Sequence, residues 1–187
     1  MTGPLAFATP PDWWAWLAAH ADRAEVWVLY HRKGSGNLSI DWEQAVEGAL
    51  AHGWIDGVRK TVNESQWTQR FTPRKAGSTW SRKNIATAER LIAEGRMAAA
   101  GLRHYEAAKA AGTFERAYSG GKGAEMPQDF LDALARAEPK ARETFGALDR
   151  RNSYAIYYRL TTAKRPETRL KRIAAFLELL SRGEGIV

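Results

Sequence analysis

The densest concentration of chemically capable side chains lies between residues 53 and 84. Asp56 stands in Gly53-Trp54-Ile55-Asp56-Gly57, a carboxylate inside a strand-like run flanked by glycines and aromatics. In such a setting it must reach solvent or find a cation, and Arg70 and Arg74 are the candidates. Ser78 and Ser81 precede a helix predicted to begin near Arg82, so one of them is expected to cap its free N–H groups. A helix start with hydroxyls and arginines nearby can also bind an anion. Trp54, Asp56, Arg70, Arg74, Ser78, Trp80, Ser81 and Asn84 therefore read in two ways. Either an Asp–Arg pair and a serine cap stitch a sheet to a helical half, or these residues form an aromatic-walled cleft for a small anionic or peptide ligand.

A hydrolase or transferase with Asp56 as general base and Ser78 or Ser81 as nucleophile is a further alternative. It lacks the histidine that would normally orient and activate a serine. His20, His31, His52 and His104 are scattered, with no pair at metal-ligand spacing. There is no cysteine, which removes disulfides, thiolate zinc sites and a cysteine nucleophile together. Gly120-Gly121-Lys122-Gly123 lacks the upstream glycine and the following Ser or Thr of a phosphate loop, and reads as part of a long loop over 118–126. No catalytic residue, metal or cofactor is assigned from these patterns. Tyr154, Tyr157 and Tyr158, at helical spacing, read as a face turned to the core.

The whole net charge of +7 falls after residue 80: residues 1–80 carry 8 Lys and Arg against 8 Asp and Glu, the rest 20 against 13. Arg150, Arg151, Arg159, Lys164, Arg165, Arg169, Lys171 and Arg172 face only Glu167 within 150–172. Such a cluster is an alternative nucleic-acid interface, since cations that neutralise phosphates supply sequence-independent affinity. Leu170, Ile173, Leu177 and Leu180 give the last helix an ordinary core face, so its basic side also reads as a solvated surface.

The elements that must position these groups follow from local signals. Thr9 with Asp12, and Asp41 with Gln44, are capping boxes for two helices. Residues 26–30 read as a covered central strand, and 54–61 and 66–72 as two strands around Asn63-Glu64, with Trp54, Asp56 and Val58 on one face. Helices are predicted over 82–94, 98–111, 128–137, 139–148, 151–163 and 166–181, with Pro139 and Pro166 in first-turn positions. All eight Trp lie between Trp13 and Trp80, and Trp13, Trp27, Trp54 and Trp80 are expected to share one aromatic core. The 187 residues fit a single α+β domain: a small, largely antiparallel sheet packed on helices in an aromatic-rich portion over 1–80, then a basic helical portion over 81–187. No apolar run approaches the roughly 20 residues of a membrane span, and the opening Met-Thr-Gly-Pro-Leu-Ala has no basic leader, so the expected location is the cytoplasm.

The chain resembles the YdeI/OmpD-associated, bacteriocin-protection family. The resemblance rests on Trp13-Trp14-Ala15-Trp16-Leu17, Trp27, Ala49-Leu50-Ala51-His52-Gly53-Trp54-Ile55-Asp56-Gly57, Arg70-Phe71-Thr72-Pro73-Arg74 and Ser78-Thr79-Trp80-Ser81-Arg82-Lys83-Asn84. It continues through Gly95-Arg96-Met97, Ala100-Gly101-Leu102, Ala163-Lys164-Arg165-Pro166-Glu167-Thr168-Arg169 and Arg172-Ile173. Ala51-His52 departs from the apolar pair usual in the family, so His52 carries no family-wide role. The resemblance implies a bacterial protein of stress tolerance, against bacteriocins, cationic antimicrobial peptides or envelope stress. It implies no established reaction, cofactor or partner.

Overall fold

In the computed structural model, which describes residues 3–32 and 34–187 and only the backbone of Lys122, Thr9 and Asp41 start their helices by reciprocal capping. The Thr9 hydroxyl accepts from the Asp12 N–H and the Asp12 carboxylate accepts from the Thr9 N–H; Asp41 and Gln44 repeat the exchange at 2.8 and 2.9 Å. Met1 and Thr2, the first residues of the opening Met-Thr-Gly-Pro-Leu-Ala, lie outside the described residues. The chain forms two compact units: Met1–Ser78 with Asn84–Ala111, and Thr79–Lys83 with Gly112–Val187.

The first unit is built on a four-stranded sheet. Strand β1 (Leu5–Ala6) runs parallel to β2 (Val26–His31), because helix α1 (Pro10–Ala19) joins them as a crossover. After α2 (Trp42–Ala51), strands β3 (Trp54–Thr61) and β4 (Gln66–Pro73) form an antiparallel hairpin that adds to β2, giving the order β1-β2-β4-β3. The sheet is therefore mixed. Two residues cannot display an alternation, which is why β1 leaves no sequence signal. Helices α3 (Arg82–Ala93) and α4 (Ala99–Ala110) complete the α+β architecture here, the first two residues of α3 counting with the second unit.

Simple alternation fails in one place on β3. Asp56 lies opposite Phe71, but Arg59 rather than Val58 lies opposite Gln69, so β3 carries a bulge between Asp56 and Arg59. Beyond it the face of Trp54 and Asp56 passes to Arg59, whose guanidinium sits 4.1 Å from the Trp67 ring centroid, while Val58 is exposed. The other face of this sheet edge carries Lys60, 4.6 Å from the Trp27 ring centroid.

Trp13 and Trp54 belong to one buried cluster with Leu17, Val26, Val28, Tyr30 and Phe71. The four-tryptophan core needs correction at its other members. Trp27 is half-buried, because β2 alternates and turns it away from Val26 and Val28. Trp80 is buried in the second unit, edge-on to Phe114 at 5.4 Å.

Past two short 3-10 turns at Thr113–Arg116 and Gly121–Gly123, the second unit is helical: α5 (Gln128–Arg136), α6 (Pro139–Gly146), α7 (Arg150–Thr161) and α8 (Pro166–Ser181). Pro139 and Pro166 open their helices, and the Asp149 carboxylate caps α7 by accepting from the Asn152 N–H at 2.7 Å. Phe130, Leu134, Ile156, Leu160, Ile173, Phe176 and Leu180 form its core. Leu170, expected on that stripe, is 66% exposed. Arg169 takes the inward position instead, its guanidinium donating to the Leu160 carbonyl at 2.6 Å and pairing with Asp129. Among the described residues no helix is long and apolar enough to cross a membrane.

Candidate functional site

Asp56 is half-buried on the helix-covered face of the sheet, and its hydrogen bonds come from neighbours the sequence did not single out. The Gln69 side-chain amide donates to it at 2.9 Å from the diagonal position on β4, and the Trp42 side chain donates from the first turn of α2. Arg74, only 5% exposed, donates through Nε to the Trp54 carbonyl at 3.3 Å, and its N–H to the Gly53 carbonyl at 2.8 Å. Its charge favours the Asp56 carboxylate. Arg70 points to the opposite face of β4 and pairs with Glu25 at 2.8 Å, which removes it as a partner for Asp56.

Burial raises the Asp56 pKa above the ordinary carboxylate range; its backbone contact, the Trp42 and Gln69 hydrogen bonds and the Arg74 charge offset only part of that rise. The Tyr30 hydroxyl, buried with no hydrogen-bond partner among the described residues, is likewise driven upward by burial and then by the charges of Asp56 and Asp41. A carboxyl whose folded pKa lies above its unfolded value of about 3.9 binds more protons in the native state, so ionising it reduces stability as pH rises through the folded pKa. The stability of the parent relative to Asp56→Asn is therefore expected to fall between about pH 4 and pH 7. Urea denaturation of both proteins at the two pH values checks this. A parent that gains on the variant with rising pH reverses the sign.

The remaining residues of the expected cleft are divided between the two units. Trp54 lies in the core. The Ser78 hydroxyl accepts from the Lys75 N–H at 3.0 Å, closing a turn over 75–78. Ser81 is buried in the second unit, paired with Tyr118 through a backbone bridge that the Arg82 N–H extends to the Tyr118 carbonyl at 2.9 Å. Trp80 also lies in the second unit, and Asn84 is half-buried in the first turn of α3.

An open cavity of about 640 Å³ lies within the second unit. Its walls are Ala124 and Met126 from the loop and Tyr154 and Tyr157 from α7, with Arg150, Arg151 and Ser153 as the polar groups. Both phenols are engaged by Ser119: its N–H donates to the Tyr157 oxygen at 2.7 Å, and the Tyr154 hydroxyl donates to its carbonyl at 3.4 Å. Burial, with the neighbouring Tyr157 and Tyr158, raises the Tyr154 pKa, so that phenol stays neutral. Neither the Arg150 nor the Arg151 guanidinium makes a hydrogen bond or ion pair among the described residues. The tyrosine trio is thus divided: Tyr157 is buried, whereas Tyr154 and Tyr158 are partly exposed. The loop over 118–126 supplies a wall, a role that no local pattern in it announces.

A second cavity, of about 430 Å³, lies in the first unit beside Trp16, His20, Arg23, Glu25 and Trp27. Its groups are largely committed to one another. Trp16 stacks with Trp13 and His20, and Glu25 accepts from Trp27 and Arg70.

The basic residues over 150–172 do not form one free surface. Arg169 makes a two-pronged bond to Asp129 at 2.6 and 2.7 Å, and Arg172 donates to the Arg159 carbonyl. Arg159, Lys164, Arg165 and Lys171 are exposed, while Arg150 and Arg151 border the cavity.

Residues 5–104 match the model of a domain of unknown function, DUF8412, and residues 123–183 match the model described as bacteriocin-protection, YdeI or OmpD-associated. The tryptophan-rich blocks thus fall in the first match, and the cavity-bearing helices in the second. Comparison with curated proteins and with solved structures gave no match.

Proposed function

We propose that this chain, which belongs to the DUF8412 family by residues 5–104 and matches the bacteriocin-protection, YdeI or OmpD-associated model over residues 123–183, is a stress-protection protein that works by binding a small anionic ligand in the cavity bordered by Arg150 and Arg151. The observation that carries this reading is the pair of exposed guanidinium groups, Arg150 and Arg151, beside apolar walls. The cavity volume falls in the range of small-molecule sites, about 300–1,000 Å³. No carboxylate or histidine is among its described lining residues, so the reading is binding without chemistry.

Charge decides the sign of the ligand. The second unit carries 16 Lys and Arg against 10 Asp and Glu, a field that draws anions and repels cationic peptides. Protection against such peptides then runs through an anionic ligand rather than capture of the peptide. The nucleic-acid alternative is weakened by the internal bonds of Arg169 and Arg172.

The double variant Arg150→Gln, Arg151→Gln tests the site. Both residues are exposed, so its thermal melt should stay within about 2 °C of the parent, surface changes being nearly neutral. Binding of the anionic probe anilinonaphthalene sulfonate should weaken at least tenfold, and cells carrying the variant should lose protection against a bacteriocin or cationic peptide. Full protection together with unchanged probe binding would overturn the proposal.

A further inference from the structure

We infer that the ligand of this cavity is an anionic amphiphile, a single carboxylate or phosphate head on an apolar chain; this rests on the anion-binding reading above and names its ligand class. The inference comes from which polar groups remain available. Ser119 engages both phenols, leaving the Tyr157 hydroxyl as a donor and the Tyr154 oxygen as an acceptor, while Tyr154 and Tyr157 also bring ring surface to the cavity. Ala124 and Met126 add only aliphatic surface. The Asp149 carboxylate accepts from the Asn152 N–H and side-chain amide through Oδ1, bonds that lower its pKa with a smaller contribution from the Arg151 charge.

The other polar groups of the lining are the Ser153 hydroxyl and two guanidinium groups, all on the first turns of α7. A sugar or a nucleobase placed among these walls would bury more hydroxyl, amino and carbonyl groups than these few partners satisfy, and each unpaired polar group is costly to desolvate. An apolar chain meets the same walls favourably, because its transfer out of water is what they reward. The polar end of the ligand must then be anionic and compact. A guanidinium fork matches a carboxylate or phosphate with two parallel bonds, and the Ser153 hydroxyl can donate a further one. Inorganic phosphate supplies the head without the chain, and an alcohol of the same length supplies the chain without the charge.

The test uses the full chain and isothermal calorimetry below the micellar concentration, with four probes: dodecanoate, dodecyl phosphate, dodecanol and inorganic phosphate. Dodecanoate and dodecyl phosphate should bind one to one. Dodecanol and inorganic phosphate should each bind at least tenfold more weakly than dodecanoate. Arg150→Gln with Arg151→Gln should weaken dodecanoate at least tenfold, and Met126→Gln should weaken dodecanoate while leaving any phosphate binding unchanged. Inorganic phosphate binding as tightly as dodecanoate would overturn the amphiphile while leaving the anion site standing. Dodecanol binding as tightly as dodecanoate, or dodecanoate binding unaffected by the double arginine change, would overturn both. Sedimentation with phosphatidylglycerol vesicles, in a protein that ignores free dodecanoate, would replace the enclosed ligand by a membrane surface and overturn the inference.

Discussion

Trp13→Ala is expected to remove about 3–5 kcal/mol from the first unit, the range for truncating a large buried aromatic. Trp13 has no exposed surface, and its ring lies 4.9 Å from Phe7, 5.7 Å from Trp16 and 5.5 Å from Phe71. Its indole N–H donates to the Ala45 carbonyl on α2 at 3.0 Å, so the ring also fixes that helix against α1. The packing is tight enough that Gly48 of α2 must lack a side chain: a Cβ there would stand 2.7 Å from the Trp13 ring. Truncation therefore leaves a cavity walled by two helices and the sheet, and small domains have only about 5–15 kcal/mol in total. Urea denaturation followed by circular dichroism measures the loss. Trp27→Ala is the control: half-buried on the other face of β2, it should lose much less. Equal losses at the two positions would restore the single four-tryptophan core and overturn the division between sheet faces.

The helices were legible because their signals are local. Proline at a first turn, a capping hydroxyl or carboxylate, and a stopping glycine act over three or four residues, and α8 over Pro166–Ser181 coincides with its predicted span. The hairpin of β3 and β4 was legible for the same reason. What escaped depends on register between distant segments. The bulge after Asp56 is a property of how β3 meets β4, so alternation placed Val58 where Arg59 stands. Gln69 shares a face with Trp67 and Phe71, a signal already in the sequence, yet only the register shows that it reaches Asp56. Asp56 was thus found as an unusual carboxylate, but its partners were not.

The cavity was less legible still. Ala124 and Met126 sit in a stretch without periodicity, and Arg150 and Arg151 read as members of a charge run rather than as a pair beside tyrosine rings. Composition marked this half as basic; it could not separate Arg169, bonded to Asp129 and Leu160, from the exposed guanidinium groups that border the cavity. That separation, and not the total charge, distinguishes the proposed anion-binding cavity from a diffuse basic surface.

Gly101→Ala should destabilise the first unit by about 1–3 kcal/mol, the usual range for overpacking, although alanine is the better helix former. Gly101 lies within α4, where the substitution alone would favour the helix by up to about 1 kcal/mol. A Cβ at this position would stand 2.6 Å from the Leu50 carbonyl oxygen and closer still to that of Ala51. These are backbone atoms of α2, so no side-chain rotation relieves the clash and the helices must separate. Separation also strains the bond from the Ala98 N–H to the Ala51 carbonyl, 3.1 Å long, which fixes the start of α4 on α2. Gly146→Ala gives the contrast, since Gly146 closes α6 with nothing within 4 Å of the added methyl. It should be neutral or stabilising by up to about 1 kcal/mol. Denaturation midpoints that move in opposite directions for the two variants match the close approach of α2 and α4. Midpoints that both rise would mean that Gly101 is replaceable and that the two helix backbones do not meet there.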